Sequence, residues 1–307
     1  MGITYPPIAP TLSGDIISIN QFLNSPTRVA RRLRTLTDQK FIADVLLTGR
    51  IQASGGAIAY QQAESIYADR DADIVTAGAE YPRGLAGTGP SQLATPSKYG
   101  QDIPITDESI GRQGIDPVNR ALLKASNRVV KVVDTLALAA IASAVTQTQA
   151  ATAAWNTTNA DPLTDALLAA AQIDDLADGF SADTIVVTAT LYARLVGNQK
   201  VIAGLAREST SSVTSTGEVQ RIAGLVVRQV PAARMPSGVT AMVMDSTQLG
   251  ALGYEAIPSP EYSGDPDGVQ SWTRRDPDAR DAWLVRVRRA VVPIVQEPSC
   301  CVKITGA

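Results

Sequence analysis

The stretch DPVNRALLKASNRVVKVVDTLALAAIASA, residues 116–144, carries the strongest structural signal in this chain of 307 residues. Its apolar residues recur at the three- and four-residue steps of one helix face, at Leu122, Ala125, Val129, Val132, Leu136, Ala139 and Ala140. Four cations fall on another side, at Arg120, Lys124, Arg128 and Lys131. Asp116 is a favourable N-cap, and Pro117 suits a first helical turn. The pattern extends to about Thr148, which predicts a helix of roughly 30 residues and 45 Å, about twice the mean length.

The segment before this helix, residues 50–112, is polar, rich in Gly and Pro, and poor in large apolar residues. AIAYQQ, residues 57–62, alternates like a strand. We expect a long two-stranded excursion with a loose tip at residues 84–90, GLAGTGP. A phosphate-binding loop is the alternative for this stretch, but it lacks the required GK[ST] ending. An isolated hairpin is marginal in water, so another chain must support it.

The N-terminal segment contains Pro6, Pro7 and Pro10, so we expect residues 1–24 to be an extended arm that is disordered or lies on a neighbour. Ser25 and Pro26 then open a helix. A further segment, residues 41–48, ends at Gly49, a plausible C-terminal glycine. The helix that begins at Pro26 carries four arginines: Arg28, Arg31, Arg32 and Arg34. They either contact DNA phosphates or form a solvated face with inter-subunit ion pairs.

Beyond the long helix, the pattern alternates between helix and strand and then becomes β-rich. Helices are expected from Asp161 to about Asp178 and over 191–196, with strands at 184–188, 224–230 and 240–244. This alternation indicates a small α/β lobe. Strands at 272–275 and 283–292 flank a turn at 276–278, and a strand at 302–304 follows. Arg286 and Arg288 lie on one strand face, where a solvent or inter-subunit role is favoured over DNA.

Composition excludes several classes of function. The chain has no histidine, so a Ser-His-Asp triad, a histidine base and an HExxH metal site are all absent. The net charge of −3 gives no bulk attraction to polyanions. Paired carboxylates at Asp174-Asp175 and at Asp276 with Asp278 are better explained as helix surface and turn residues than as an acid–base pair. We therefore expect no enzymatic activity.

The two cysteines, Cys300 and Cys301, are adjacent, so a bond between them would be strained and two reduced thiols are expected. A zinc half-site is the alternative, but no second ligand pair completes it. Asp265-Pro266-Asp267-Gly268 resembles the start of a calcium loop, although a turn explains it better. We expect no metal and no cofactor. No apolar run reaches about 18 residues, so we expect no membrane span.

The order of elements resembles the Hong Kong 97-type major capsid proteins of tailed bacteriophages over nearly the whole chain. The resemblance rests on that order and on these segments: KYGQDIPITDESIG (98–111), DPVNRALLKASNRVVKVVDTLALAAI (116–141), DTIVVTATLYARLVGN (183–198), MDSTQLGALGYEA (244–256) and WLVRVRRAVVPIVQEPSCCVKITG (283–306). It implies an α+β fold with an N-terminal arm (1–49), an extended loop (50–112), a peripheral domain (113–149 and 246–292) and an axial domain (150–245 and 293–307).

The resemblance also implies a function, in which hexamers and pentamers assemble in the bacterial host cytoplasm into an icosahedral virion shell around double-stranded DNA. Portal, scaffolding and decoration proteins would be further partners. Expected inter-subunit contacts are Tyr81, Arg83, Leu85 and Lys98 in the loop, with Arg286 and Arg288 in the β ribbon. Two alternatives stay open: an encapsulin-type nanocompartment with the same fold, and a histidine-free enzyme.

Overall fold

The computed structural model describes residues 16–37, 41–63, 67–176, 178–204, 221–276 and 281–307. The helices are α1 (Ile16–Leu23), α2 (Pro26–Thr37), α3 (Ala43–Leu46), α4 (Asp107–Gln113), α5 (Asp116–Ala144), α6 (Pro162–Asp174), α7 (Ala189–Gly197) and α8 (Gln199–Gly204). The strands are β1 (Gly49–Gln52), β2 (Ile58–Gln61), β3 (Ser91–Ala94), β4 (Ser97–Thr106), β5 (Thr148–Ala150), β6 (Thr184–Thr188), β7 (Arg221–Ile222), β8 (Leu225–Val230), β9 (Ala241–Met244), β10 (Gly250–Tyr254), β11 (Gln270–Arg275), β12 (Ala282–Val295) and β13 (Cys301–Thr305). Short 3-10 turns cover Ala232–Arg234 and Pro298–Cys300.

The long helix α5 is present as predicted, with 29 residues, or about 44 Å. Asp116 is its first helical residue and Ile115 occupies the N-cap position, so the prediction of an Asp116 cap was wrong by one residue. The helix ends at Ala144 rather than near Thr148, because Thr148 pairs with Lys303 of β13 in a parallel ladder.

The first sheet is organised by β12, whose 14 residues pair with β10, β11 and β4. Val285 and Val287 of β12 are fully buried in the cluster that also contains Leu122, Ala125 and Val129 of α5. The predicted apolar face was wrong towards the end of the helix, where Ala139 is exposed and Ile141 is buried. The ladder between β4 and β12 is continuous from Ser97 opposite Val291 to Thr106 opposite Ala282. Residues 97–106 are therefore held by the chain itself, and the expectation that they belong to an unsupported excursion was wrong.

The second sheet has the strand order β5-β13-β9-β6-β8-β7, with β6 inside and buried at all five positions. Its two faces alternate along the strands, as the pleat requires. Val186, Met242 and Met244 join the cluster around α5, whereas Ile185, Val187 and Val243 join a second cluster with α6 and α7. This arrangement is the predicted α/β lobe.

Two N-terminal predictions were wrong. Residues 16–23 form α1 instead of an extended arm, and Ile19 and Leu23 are buried in the main core. The three prolines that disfavour a helix all precede residue 11, and an apolar run follows them. Gly49 starts β1 rather than closing a helix; a Cβ at this position would lie 2.8 Å from the Ala251 Cβ, so glycine permits the parallel pairing with β10.

Two predictions lie outside the described residues, namely the arm before Ile16 and Asp278 in the turn before β12. Helix α6 ends at Asp174, four residues earlier than expected. The helix predicted over 191–196 is part of α7. The division into arm, loop, peripheral and axial domains remains a proposal.

Candidate assembly surfaces

The segment between β2 and β3 has no buried residue among its described positions. We call its described residues, 67–90, the outer loop; they contain no helix and no strand. Its large apolar side chains are exposed, with Ile74 at 98%, Tyr81 at 80%, Leu85 at 73% and Tyr67 at 61%. Leu93 in β3 is 71% exposed. Large exposed apolar patches mark interaction sites, so we predict that these side chains contact a partner.

The outer loop has some order of its own. The Asp69 carboxylate accepts a hydrogen bond from the Leu85 N–H at 2.6 Å, and the Asp69 N–H donates to the Leu85 carbonyl at 3.3 Å. Arg70 pairs with Asp73 at 3.0 Å. At its base, β2 and β3 form a ladder of only four residue pairs, much shorter than predicted. The two hydrogen bonds between Asp69 and Leu85 therefore hold the two sides of the loop together. The GLAGTGP stretch, residues 84–90, leads into the strand β3.

The predicted loop contacts fall in two places. Tyr81, Arg83 and Leu85 are exposed on the outer loop. Lys98 is exposed on β4, opposite Ala290 of β12, so it stands on the first sheet and not on the loop. The structure therefore separates Lys98 from the other three, and their inter-subunit roles remain predictions.

The four predicted arginines lie on α2, as expected, opposite the buried Val29 and Leu33. Arg31, Arg32 and Arg34 are exposed and Arg28 is partly buried. Arg34 pairs with Asp265 at 3.0 Å across a cavity of about 340 Å³. The cavity is also lined by Arg31, Asp44, Arg50, Asp267 and Arg289. The cavity wall thus mixes both signs of charge.

Arg286 and Arg288 lie on the same face of β12, as predicted, but both guanidinium groups have partners within the chain. Arg286 forms two 2.6 Å hydrogen bonds with Asp102 of β4, and these bonds raise its pKa. Arg288 is only 7% exposed, lies 3.5 Å from the centre of the Tyr262 ring and donates to Gln270. Both arginines therefore stabilise the sheet through contacts within the chain, and their inter-subunit role stays a prediction.

Arg289 and Asp134 are two of the buried charged residues that were missed from the sequence; Asp165 and Asp245 are others. Arg289, 2% exposed, donates to Asp44 at 2.7 Å and lies over the Phe41 ring, tying β12 to the segment before β1. Asp134 is fully buried in α5, accepts from the Ile42 and Ala43 N–H groups at 3.0 Å and pairs with Arg234 at 2.7 Å. The predicted apolar face held no signal for Asp134, which lies about 120° around the helix from Leu122 and away from the other apolar residues of that face.

Burial is the largest influence on the Asp134 carboxyl and raises its pKa, while the two backbone hydrogen bonds and Arg234 lower it in part. The carboxylate joins three elements: α5, the start of α3 and the 3-10 turn at 232–234. A negative charge in this position is costly unless it is paired, so the site fixes how these elements meet.

Both cysteines are free and buried. Burial raises the pKa of Cys300 to about 12 and places that of Cys301 higher still. At pH 8 both therefore stay as thiols, and the thiolate is the reactive form. We expect a thiol reagent at pH 8 to leave both unmodified in the folded protein and to label both after denaturation. Rapid labelling of the native protein would contradict the buried placement.

Most residues of the other candidate sites lie in the parts of the chain that the structure describes. Across the described parts of the chain, no group of three or more side chains could hold a metal ion. Residues 265–268 form a turn, closed by a 3.1 Å hydrogen bond from the Gly268 N–H to the Asp265 carbonyl. Asp174 and Asp175 are exposed at the end of α6. Within the described residues, no helix is both long and apolar enough to cross a membrane.

Solved structures of capsid and particle proteins align with most of this chain. The capsid of the cyanophage P-SCSP1u aligns with a TM-score of 0.59 and 15% identity, over 87% of this chain and 88% of that one. A Mycobacterium phage Adephagia structure aligns with a TM-score of 0.57 and 13% identity, over 87% and 90%. A virus-like particle from Pyrococcus furiosus aligns with a TM-score of 0.56 and 11% identity, over 90% and 97%. The fold is α+β and of the Hong Kong 97 type, as predicted.

Sequence comparison gives the family. The profile of the phage capsid protein family matches residues 87–304, more than half of the chain. The chain therefore belongs to the phage capsid proteins, the structural proteins that form capsid shells. Among curated proteins, no sequence matches this chain.

Proposed function

We propose that this chain is the major capsid protein of a tailed bacteriophage and that its copies assemble as hexamers and pentamers into an icosahedral shell around double-stranded DNA. The observation that carries the proposal is the outer loop, with Ile74, Tyr81 and Leu85 at least 73% exposed on a segment without regular structure. A chain that worked alone would gain nothing from this surface. A neighbouring copy that covers it supplies the missing packing.

The physical basis of assembly is repetition of one contact. Covering a large apolar side chain contributes on the order of 1.5–3 kcal/mol, before the cost of ordering the loop and the partner. Head-to-tail contacts of this kind close into rings when the rotation between copies fits. A shell then holds each subunit by several such contacts at once, so modest interfaces add up.

The same proposal sets location and partners. The protein would be assembled in the host cytoplasm and would remain in the virion, with non-specific contacts to packaged DNA. A portal protein, and scaffolding or decoration proteins, would be further partners. We propose a structural role without catalysis, since the chain lacks histidine and its buried carboxylates serve in fixed hydrogen-bond networks, as Asp165 does with Thr152 and Trp155.

The test is electron microscopy of the expressed full-length protein. We expect closed shells built of six-fold and five-fold capsomers. A protein that stays monomeric or forms one small oligomer at every concentration tested would refute the proposal and would favour the histidine-free enzyme.

A nanocompartment that encloses protein cargo is the second candidate, because a virus-like particle shares this fold. The two differ in genetic surroundings and in content. Terminase, portal and tail genes beside this gene would support the phage capsid, whereas a neighbouring cargo peroxidase gene and shells filled with that protein would support the nanocompartment.

A further inference from the structure

The exposed side of α5 carries a line of cations that no described acidic residue fully balances. Arg120, Lys124, Arg128 and Lys131 are all exposed and lie within an arc of about 80° when the helix turns by roughly 100° per residue. We call these four residues the α5 basic stripe. We propose that the α5 basic stripe binds the phosphate backbone of double-stranded DNA. The inference rests on the proposed function, which supplies the enclosed DNA, and assigns a surface of the subunit to it.

The charges of the stripe are free for a partner. Arg120 has only a marginal contact with Asp116, at 4.0 Å between two side chains more than 60% exposed. Lys124, Arg128 and Lys131 form no ion pair with any residue in the described ranges. The whole chain has a net charge of −3, so this row of unpaired cations differs from the rest of the molecule. The four positive charges repel one another unless an anion lies beside them.

The backbone of α5 under the stripe is held in place by packing, and the four cations are accessible along its length. The opposite side of α5 is buried against β4 and β12, so the helix lies on the first sheet with its cations facing outward. From Arg120 to Lys131 the stripe covers about 16 Å of helix axis, a length over which duplex DNA presents roughly ten phosphates. Long, mobile Lys and Arg side chains can meet such phosphates without reading the bases.

The rival occupant is the acidic outer loop of a second copy. Its acidic residues are partly satisfied within the loop, since Asp69 accepts from the Leu85 N–H and Asp73 pairs with Arg70. The outer loop has four acidic residues and two arginines, so its net charge of −2 balances only half of the four cations of the stripe. Charge therefore favours a polyphosphate over the loop.

Two of the four α2 arginines, Arg31 and Arg34, differ from the stripe in this respect. Arg34 pairs with Asp265, and Arg31 lines a cavity that contains Asp44, Asp265 and Asp267. Those cations have acidic neighbours, so we place the main DNA contact on α5.

The test compares two triple variants that each remove three positive charges from the full-length protein. One is Lys124→Gln, Arg128→Gln and Lys131→Gln. The control is Arg194→Gln, Arg221→Gln and Arg228→Gln in the α/β lobe, where Arg221 and Arg228 are exposed. Fluorescence anisotropy with a labelled 30-base-pair duplex, from 25 to 200 mM salt, measures binding by unassembled capsomers. Negative-stain microscopy of the same preparations scores shells.

We expect the stripe variant to bind at least about tenfold more weakly at low salt and to lose about 2–3 from the slope of log affinity against log salt, whereas the control keeps most of both. Equal losses in the two variants, or no binding by the unaltered protein at 25 mM salt, would overturn the inference. Normal DNA binding with lost shells would also overturn it and would make the stripe a contact between copies. Failure of the unaltered protein to form shells would refute the proposed function instead.

Discussion

Changing Ile74, Tyr81 and Leu85 together to serine is expected to abolish shell assembly and to leave the subunit folded. These side chains are 98%, 80% and 73% exposed, so they contribute almost nothing to the core of their own chain. If a neighbour covers them, each loses on the order of 1.5–3 kcal/mol of contact, and the loss repeats at every subunit of the shell. The backbone hydrogen bond between Asp69 and Leu85 does not require the leucine side chain.

The matched control changes exposed polar residues of the same segment, as Thr76→Ala, Glu80→Gln and Thr88→Ala. Size-exclusion chromatography and electron microscopy measure assembly, and thermal unfolding of the unassembled subunit measures stability. The serine variant should remain as small species with an unchanged melting temperature, while the control forms normal shells. Normal shells from the serine variant would show that the outer loop is not an assembly contact.

Substitution tests the outer loop better than deletion does. Removing residues 80–92 would delete Ser91 and Gln92 of β3. It would also delete Leu85, and with it the hydrogen bonds between Leu85 and Asp69. A failure of that variant to assemble would then mix loss of contact with loss of loop structure. The three serine changes leave the backbone and both strands in place.

The sequence predicted the parts of the fold whose pattern is local. Helix α5 follows from a continuous three-and-four periodicity, and β6 follows from a short run of β-branched residues between turns. The buried face of β12 followed from alternation, since Val285 and Val287 face the core while Arg286 and Arg288 share the opposite face. The capsid family itself followed from the order of such elements.

The sequence could not predict features that depend on distant partners. Residues 97–106 look polar because β4 carries Asp102, whose charge is balanced by Arg286, 184 positions further along the chain. The burial of Arg288 depends on Tyr262 and Gln270, which lie beside it only in the folded chain, so from the sequence it resembles a surface residue. The sequence likewise could not show which cations of α2 and α5 have acidic partners. Asp265, for example, lies beside Arg34 only in the folded chain.

Asp134 is the position where one substitution should cost the most stability. Asp134→Ala removes the acceptor of two backbone N–H groups and leaves Arg234, 22% exposed, without its 2.7 Å partner. Removing one member of a buried ion pair typically costs about 3–5 kcal/mol. The matched control is Asp116→Ala on the same helix, whose carboxylate is 66% exposed and 4.0 Å from Arg120, so it should lie within about 0.5 kcal/mol of the unaltered protein.

Chemical unfolding of the unassembled subunit measures both variants, and hydrogen exchange of the amides at 42 and 43 reports the local effect. Asp134→Ala should speed exchange there, because α3 loses its anchor on α5. An Asp134→Ala variant as stable as Asp116→Ala would show that the ion pair and both hydrogen bonds contribute nothing net.

Asp134→Asn separates the charge of this site from its hydrogen bonding. The pKa of Asp134 is raised in the folded chain, so the folded state takes up this proton at a higher pH than the unfolded state does. Stability contributed by the group therefore grows as pH falls from neutral through the raised pKa and levels off below the unfolded value near 3.8. Asparagine cannot titrate, so the stability of the unaltered protein minus that of Asp134→Asn should increase as pH falls across that window. A constant or decreasing difference would mean that pairing with Arg234 outweighs burial and that the carboxylate is held as a stabilising anion.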